Sequence, residues 1–504
     1  MKKISALLAV LLIMAMTLTA CSSGTATTAA PAETKAGETT AAATASKEAY
    51  AVKYAFAMSP TPADWTLVQD AISKKSQEKI NVTFEGMPLA FGAFDQQINL
   101  MLSSGEKLDL IWQQGAKLVS YVSQNRLIAM DEYLPANGPD ITKNLGDYIK
   151  TGQIGGKTYE TPAIRNMGNG YGIVMRTDLL QKYKIDPTTI KTYADVEKVF
   201  ATVQAGEKDM FMTMGQNNTT TVYDQGFNHF DALNDGLGVL MDLSSTKVTN
   251  KYEDPQYAKD LATIRDWYTK GYIPKDIATM QETSAQLAKA GKLFSWFSNI
   301  KPGYESQSKT QSGYDMTMIE LIPNFAISSA VNGNGLSIPV TCKNPAKTVQ
   351  FLNLMYGDPE IINLFDYGIK DKHYVLKDDG TATFAPGLDA KTSGYAHGLG
   401  WQFGNQPLSY VFNDKPDLWK NLSAWNAKAT MSAAFGFNFD STPVKAEQTA
   451  LTNVVNQYKV AIENGAIDPA TELTKFNAAL KSAGIEKYIA EKQKQLDAWK
   501  ATQK

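Results

Sequence analysis

Between Tyr50 and Trp112 the apolar residues change period repeatedly, and that change constrains the fold more than any other feature of the chain. Tyr50, Val52, Tyr54, Phe56 and Met58 recur at every second position, which is the period of a strand. Asp64 to Lys79 reads as a helix, Ile80, Val82 and Phe84 alternate again, Phe94 to Leu102 forms a second helix, and Leu108 to Trp112 is a short apolar run. Strand, helix, strand, helix, strand at this spacing predicts a parallel sheet with right-handed crossovers. Such sheets carry ligands at the carboxyl ends of their strands. The loops in that place are Met58 to Trp65, Met87 to Phe94 and Trp112 to Gly115.

Helix signals continue along the chain. Asp254 caps a helix opened by Pro255, with Tyr257, Leu261, Ile264 and Tyr268 as its stripe and Gly271 at its end. Asn344-Pro345 opens another, with Val349, Leu352 and Met355 inward and Gly357 after the last turn. Thr192 with Asp195 forms a capping box, and Leu473 to Trp499 is helix-prone. The chain reads as mixed α/β throughout, without an internal repeat.

The amino terminus sets the compartment. Lys2 and Lys3 precede an apolar run from Ile4 to Leu18, a secretory signal too short to span a bilayer. Leu18-Thr19-Ala20-Cys21 resembles the bacterial lipobox, which implies that residues 1–20 are a signal peptide and that Cys21 carries a diacylglycerol. Two acyl chains hold firmly, because each buried methylene contributes roughly 0.8 kcal/mol. Residues 21–48 are rich in Ala, Thr, Ser and Gly without an aromatic residue, so a disordered tether is expected there. No second run of about 18 apolar residues follows. With Cys21 acylated, Cys342 is the one remaining thiol, so stability must come from packing and not from a disulfide. Lys and Arg number 49 against 51 Asp and Glu, and loss of Lys2 and Lys3 with the signal leaves 47 against 51. That balance argues against a nucleic-acid partner.

Catalytic and cofactor signatures are weak. His229, His373 and His397 are scattered, without metal-ligand spacing. No Gly-x-Ser-x-Gly elbow appears, and Gly333-Asn334-Gly335 reads as a turn and not as part of a P-loop. Cys342 sits in the loop before the Asn344 helix, with no histidine near it in sequence. No metal, cofactor or catalytic residue is therefore expected. The positive signal is aromatic rings beside amides and carboxylates in the expected ligand-side loops. A sugar offers an apolar C–H face that packs on a ring, and a rim of hydroxyls that need donors and acceptors. Asp64 with Trp65, Trp112 with Gln113, Tyr171 with Asn169, Gln216 with Asn217, Trp296 with Asn299, and Trp401 with Asn405 meet both demands. Trp267, Trp419, Trp425 and Trp499 fall in helix-like stretches and are taken as packing residues.

Gly156-Lys157-Thr158-Tyr159-Glu160-Thr161-Pro162 carries a family resemblance, followed by Gly172 to Leu180, Gly291 to Trp296 and Ala326 to Tyr356 in that order. The sequence resembles extracellular solute-binding proteins of ABC importers, in the carbohydrate-associated family that includes maltose-binding proteins. Trp401 to Tyr410 and Phe435 to Val444 resemble the C-terminal part of a lipoprotein subfamily. The resemblance implies a type II periplasmic-binding-protein-like fold, with two α/β lobes, each a sheet flanked by helices, joined by a hinge. Lobe 1 is expected at 49–161 and 326–390, and lobe 2 at 162–325 and 391–504 with a C-terminal helical segment. Glu160 and Cys342 depart from the family pattern, and an ion pair of Glu160 with Arg165 is the expected use of that glutamate. The implied protein is a monomeric, lipid-anchored receptor on the extracytoplasmic face of a cell membrane. Its implied partners are a carbohydrate solute and ABC permease subunits.

Three rival readings stay open at this level: a lipid-anchored carbohydrate-active enzyme, a receptor of the same fold for a peptide or other solute, and an adhesion module. Cys21→Ala is expected to release or misprocess the protein while ligand affinity of the soluble part stays unchanged. Palmitate labelling of the membrane fraction and a binding isotherm check both arms.

Overall fold

The computed structural model describes residues 48–114, 117–217 and 219–503. The signal peptide, Cys21 and all but the last residue of the expected tether lie outside the described residues. Two sheets organise the remainder. In chain order their strands are β1 (Tyr50–Ala57), β2 (Val82–Leu89), β3 (Leu110–Gln114), β4 (Thr161–Pro162), β5 (Asn169–Arg176), β6 (Ser295–Ile300), β7 (Met316–Ala326), β8 (Asn334–Ser337) and β9 (Thr430–Met431).

The first sheet runs β2-β1-β3-β8-β4. β1 pairs in parallel with β2 and β3, as the alternating pattern predicts, while β8 lies antiparallel to β3 and β4. β1 is an interior strand between β2 and β3, and Val52, Tyr54, Ala55 and Phe56 are buried on both of its faces. Helices Trp65–Ile80, Pro345–Gly357 and Pro359–Tyr367 pack together against this sheet. They complete an aromatic core in which Phe84 stacks on Phe351 at 5.5 Å and Phe365 on Phe403 at 4.8 Å.

The second sheet runs β9-β7-β5-β6, with β5 antiparallel to both neighbours and β9 parallel to β7. Its core is built on Trp267, which stacks flat on Phe297 of β6 at 5.7 Å and meets Phe200 edge-on at 5.5 Å. Trp267 comes from the Pro255–Thr269 helix, whose N-cap Asp254 accepts from Gln256 N as the sequence implies. The Thr192–Asp195 capping box is likewise present in both directions. Gly172 is required in β5, because a Cβ there would lie 2.0 Å from the Ile319 carbonyl oxygen where the ladder to β7 shifts register.

The chain crosses between the sheets after Pro162 and after Ala326, and again before β9. After β9 the chain changes core once more within a few residues: Phe435 belongs to the first core, Phe437 and Phe439 to the second. Three helices, Lys445–Glu463, Pro469–Ser482 and Ile485–Thr502, then close over the second core. Lys492 is fully buried there, donating to Asp235 at 2.6 Å.

Several local expectations are corrected. Ile80 ends a helix and does not start a strand. Gly357 is still within its helix. Leu473 to Trp499 is two helices, broken at Gly484 with φ of 93°. Gly333-Asn334-Gly335 is not a free turn, since Asn334 and Gly335 belong to β8, whose small residues let Glu160 pack directly on the strand. Tyr395, Trp401 and Phe403, expected in lobe 2, pack on the first core because Phe403 fills the space between Phe56 and Phe365.

Trp267→Ala should cost about 3–5 kcal/mol of stability. Urea unfolding of the variant checks this, and a cost below about 1 kcal/mol would contradict the packing described.

Candidate functional site

The carboxyl ends of β1 and β2 open onto two adjoining cavities. The smaller, about 350 Å3, is bounded by Met58–Ala63 after β1, by Phe91 after β2, and by Gly394 and Leu399. The larger, about 710 Å3, takes Asp366 and Gly400 from the first lobe, Asn166 from the first crossing, Trp419 from the Leu418–Ala427 helix, and Lys301 and Gln307 from beyond β6. The two share Ala390, Ala396 and His397 and so adjoin as two parts of one hollow. Each volume falls in the range of small-ligand sites, about 300–1,000 Å3.

Aromatic rings floor one end. Phe91 is 42% exposed; it stacks on Trp401 at 6.5 Å, and Trp112 supports both rings edge-on at 6.1 and 5.9 Å. Phe91 therefore presents a face to solvent while the indoles hold it in place.

The histidines of the hollow are fully engaged. His373 accepts from Ile369 N at 2.8 Å and donates to Asp64 at 2.9 Å. His397 accepts from Leu399 N and donates to the Phe365 carbonyl, both at 2.9 Å. Burial holds its imidazole down at about 4. Neither ring is available as a general base. Asp366 is buried with both carboxyl oxygens lacking a hydrogen-bond partner among the described residues, and burial pushes it up to about 8. Its approach depends on Gly400, where a Cβ would lie 2.6 Å from a carboxyl oxygen. Lys301 faces the same hollow, and burial followed by the nearby Arg165 charge holds its ammonium at about 8. No group of three His, Cys, Asp or Glu side chains among the described residues has the arrangement of a metal site.

Residues 59–360 match the family described as bacterial extracellular solute-binding protein. The chain belongs to that family. Residues 433–501, the last crossing and the three closing helices, match a domain of unknown function, DUF3502. A carbohydrate ABC transporter substrate-binding protein of Streptococcus pneumoniae is 28% identical over 436 residues, covering 84% of this chain and 86% of that protein. The crystal structure of an N-glycan transport solute binding protein from the same species superposes with a TM-score of 0.80 at 25% identity, covering 90% of this chain and 100% of that one. The same relative in complex with Man5GlcNAc gives 0.67 at 25% identity, covering 90% and 99%.

In this solute-binding protein the expected ligand residues separate into groups. Trp112 and Trp401 meet at the Phe91 platform. Tyr171 accepts from Asn228 at 3.2 Å, Asn299 donates to Asn169 at 3.0 Å, and Gln216 donates to Ser298 at 2.8 Å, a run of amides at one end of the second sheet. Asp64 is taken by His373 and by Lys372 at 3.1 Å. The Trp65 ring is held in the first core between Phe56 and Tyr395, and Trp296 lies in the second, donating to Tyr304. Gln113 donates to Ser337, and Asn405 donates to the Tyr356 carbonyl at 3.2 Å, so both serve the first lobe's interior. Glu160 forms no ion pair with Arg165. It is fully buried against Gly152 and Gly335, and burial pushes its carboxyl well above the usual carboxylate range. Arg165 instead donates to Asn166 at 3.0 Å and to the Ala330 carbonyl at 3.2 Å, tying the first crossing to the second. Cys342 is buried beside Thr348 at 3.3 Å, with its thiol pushed up to about 11.

Sequence reasoning did not single out Phe91, Lys301 or Asp366, and it took Trp419, which also lines the larger cavity, as a packing residue. Phe91 lay in an expected ligand loop but has no polar neighbour in sequence, and Lys301 directly follows the β6 residues already singled out. Asp366 had no signal, since it sits in an amphipathic helix where a lone aspartate reads as surface.

The raised Asp366 carboxyl makes a stability prediction. Unfolded aspartate ionises near pH 4, whereas the folded carboxyl keeps its proton to about 8. The folded state thus binds the extra proton, and its stability falls as pH rises between those values. Asp366→Asn removes that dependence, so melting temperatures should show the variant gaining on wild type from pH 4 to pH 8, with the largest gain at pH 8.

Proposed function

We propose that this chain is the extracellular receptor of a carbohydrate ABC importer, closing its two lobes on an oligosaccharide and presenting the closed form to the permease. The observation that carries this reading is the hollow at the strand ends, lined from both lobes, with the exposed Phe91 ring, backed by Trp401, at one end. The platform suits a sugar's C–H face, and the surrounding amides suit its hydroxyls. The pneumococcal relatives, one described as bound to Man5GlcNAc, support a glycan as the solute class.

Hinge bending around a fixed site is the expected mode of closure. In this reading the first lobe comprises 49–161 and 326–412, and the second 162–325 and the C-terminal part, with the three crossings as the hinge. Phe91, Trp401, Tyr171, Asn299 and Gln216 are the proposed ligand contacts, Trp112 supports the two rings from the first core, and Asp64 positions the loop after β1 through His373. In this reading the ligand leaves unchanged, as suits a transporter's receptor; the acids lining the larger cavity are the buried Asp366 and Asp414, the latter accepting from Ser306 at 2.9 Å and from Lys415 N at 2.7 Å. A lipid anchor at Cys21 keeps the receptor beside its permease, as a monomer on the outer face of the membrane. Among the described residues no helix is long and apolar enough to cross a membrane.

Titration with mannose- and N-acetylglucosamine-containing oligosaccharides, followed by tryptophan fluorescence and melting temperature, tests the reading. Trp401→Ala should weaken the best ligand by about 2 kcal/mol, roughly thirtyfold in Kd. An unchanged Kd would remove the platform from the site, and a response to peptides alone would remove the carbohydrate assignment.

A further inference from the structure

The loop after β6 brings a charge into the hollow that nothing answers. Lys301 directly follows the strand, and its carbonyl accepts from Tyr304 N at 3.0 Å to start the Tyr304–Ser312 helix, which fixes the backbone. Its ammonium lines the larger cavity. Among the described residues it has neither a hydrogen-bond acceptor nor a carboxylate partner, although most lysines near acids in this chain are paired. The group closest to it in charge terms is Arg165, of the same sign. Arg165 is itself bonded to Asn166 and Ala330, so it cannot turn away. Asp414, which reaches the start of the same helix, is engaged with Ser306 and Lys415 N. On the opposite wall Asp366 retains its proton, and His397 is neutral between Leu399 and Phe365. The lining therefore holds an ammonium without a direct partner among the described residues, and the Asp414 carboxylate on the same lining is hydrogen-bonded elsewhere.

Closure expels water from this charge. A neutral hydroxyl gives Lys301 one hydrogen bond but leaves an ammonium next to a guanidinium in a drier space, which is costly. An anionic oxygen satisfies both the hydrogen bond and the charge. We propose that Lys301 is a specificity-determining residue that selects glycans bearing an acidic group, a carboxylate or a sulfate, which seats against it as the lobes close. This deepens the carbohydrate reading and rests on it.

The test uses matched pairs on the full mature chain: sialyl-N-acetyllactosamine and 6-sulfo-N-acetyllactosamine against N-acetyllactosamine, and digalacturonate against its neutral disaccharide. Affinities are measured by calorimetry at two salt concentrations. At least one acidic member should bind about tenfold or more tighter than its neutral parent, with a preference that shrinks as salt rises. The carboxylate and sulfate arms separate the two sources of charge. Lys301→Met should collapse the acidic-to-neutral ratio to within about twofold, and Lys301→Arg should retain it; ligand-free melting shows that each variant is folded. Equal affinity for both members of every pair, or a preference that survives Lys301→Met, overturns the proposal while leaving a carbohydrate receptor in place. An equal loss for acidic and neutral glycans in Lys301→Met, matched by Asp366→Asn, would make the two residues an interlobe latch and also overturn it. If no glycan shifts the melting temperature, the carbohydrate reading fails and this proposal falls with it.

Discussion

Asparagine side chains tie the three crossings that join the two aromatic cores, and any motion of the lobes is governed by those ties. Asn426 accepts from Met167 N at 2.8 Å and donates to the Arg165 carbonyl at 2.7 Å, fastening the third passage to the first. Asn324 donates to the Trp425 carbonyl at 2.7 Å. Asn332 donates to Asn438 at 2.8 Å, and Asn438 donates to the Thr151 carbonyl at 2.9 Å. Hydrogen bonds of this kind hold the strands in place yet tolerate a change of backbone angle. Repacking Phe365 on Phe403 or Trp267 on Phe297 would break close-packed contacts throughout a core. A change of shape therefore concentrates at the crossings and moves the lobes as rigid bodies.

That division of labour explains where the unusual electrostatics lie. Glu160 is buried at the edge of the first crossing, and Asp366 and Lys301 face one another's lobes across the hollow. Each titrates away from its ordinary range because it is desolvated without an opposite charge nearby. In the interior of the second lobe buried charges have partners, although burial still shifts them: Lys492 has Asp235, and Glu463 has Thr221 at 2.7 Å, Tyr257 at 3.0 Å, and Lys251 and Lys459 each at 3.8 Å. The helices of the DUF3502 region supply the second kind of environment, closing the second core and holding Asn438 at the hinge.

Much of the fold was legible because local period and local capping agree with the tertiary result. The β1 alternation, the Asp254 and Asn344 caps and the Thr192 box all depend on residues within a few positions, so sequence alone carries them. Phe403 and β8 were not legible, since their places depend on contacts with Phe56, Phe365 and Gln113 that are far away in sequence. The site was legible only in part for the same reason. Trp112 and Trp401 could be named as candidates, but nothing in sequence says that Trp65 and Trp296 turn inward while Phe91 turns outward. Pairing rings with polar neighbours found amides that serve the lobes' interiors, as with Asn405, because a buried carbonyl needs a donor as much as a sugar does.

The central claim is that one hollow, shared by two rigid lobes, closes on a glycan. Small-angle X-ray scattering of the mature chain, with and without a bound oligosaccharide, measures this most directly. The account predicts a smaller radius of gyration and a shorter maximum dimension on binding, at unchanged mass. Saturated binding with an unchanged scattering profile would contradict it.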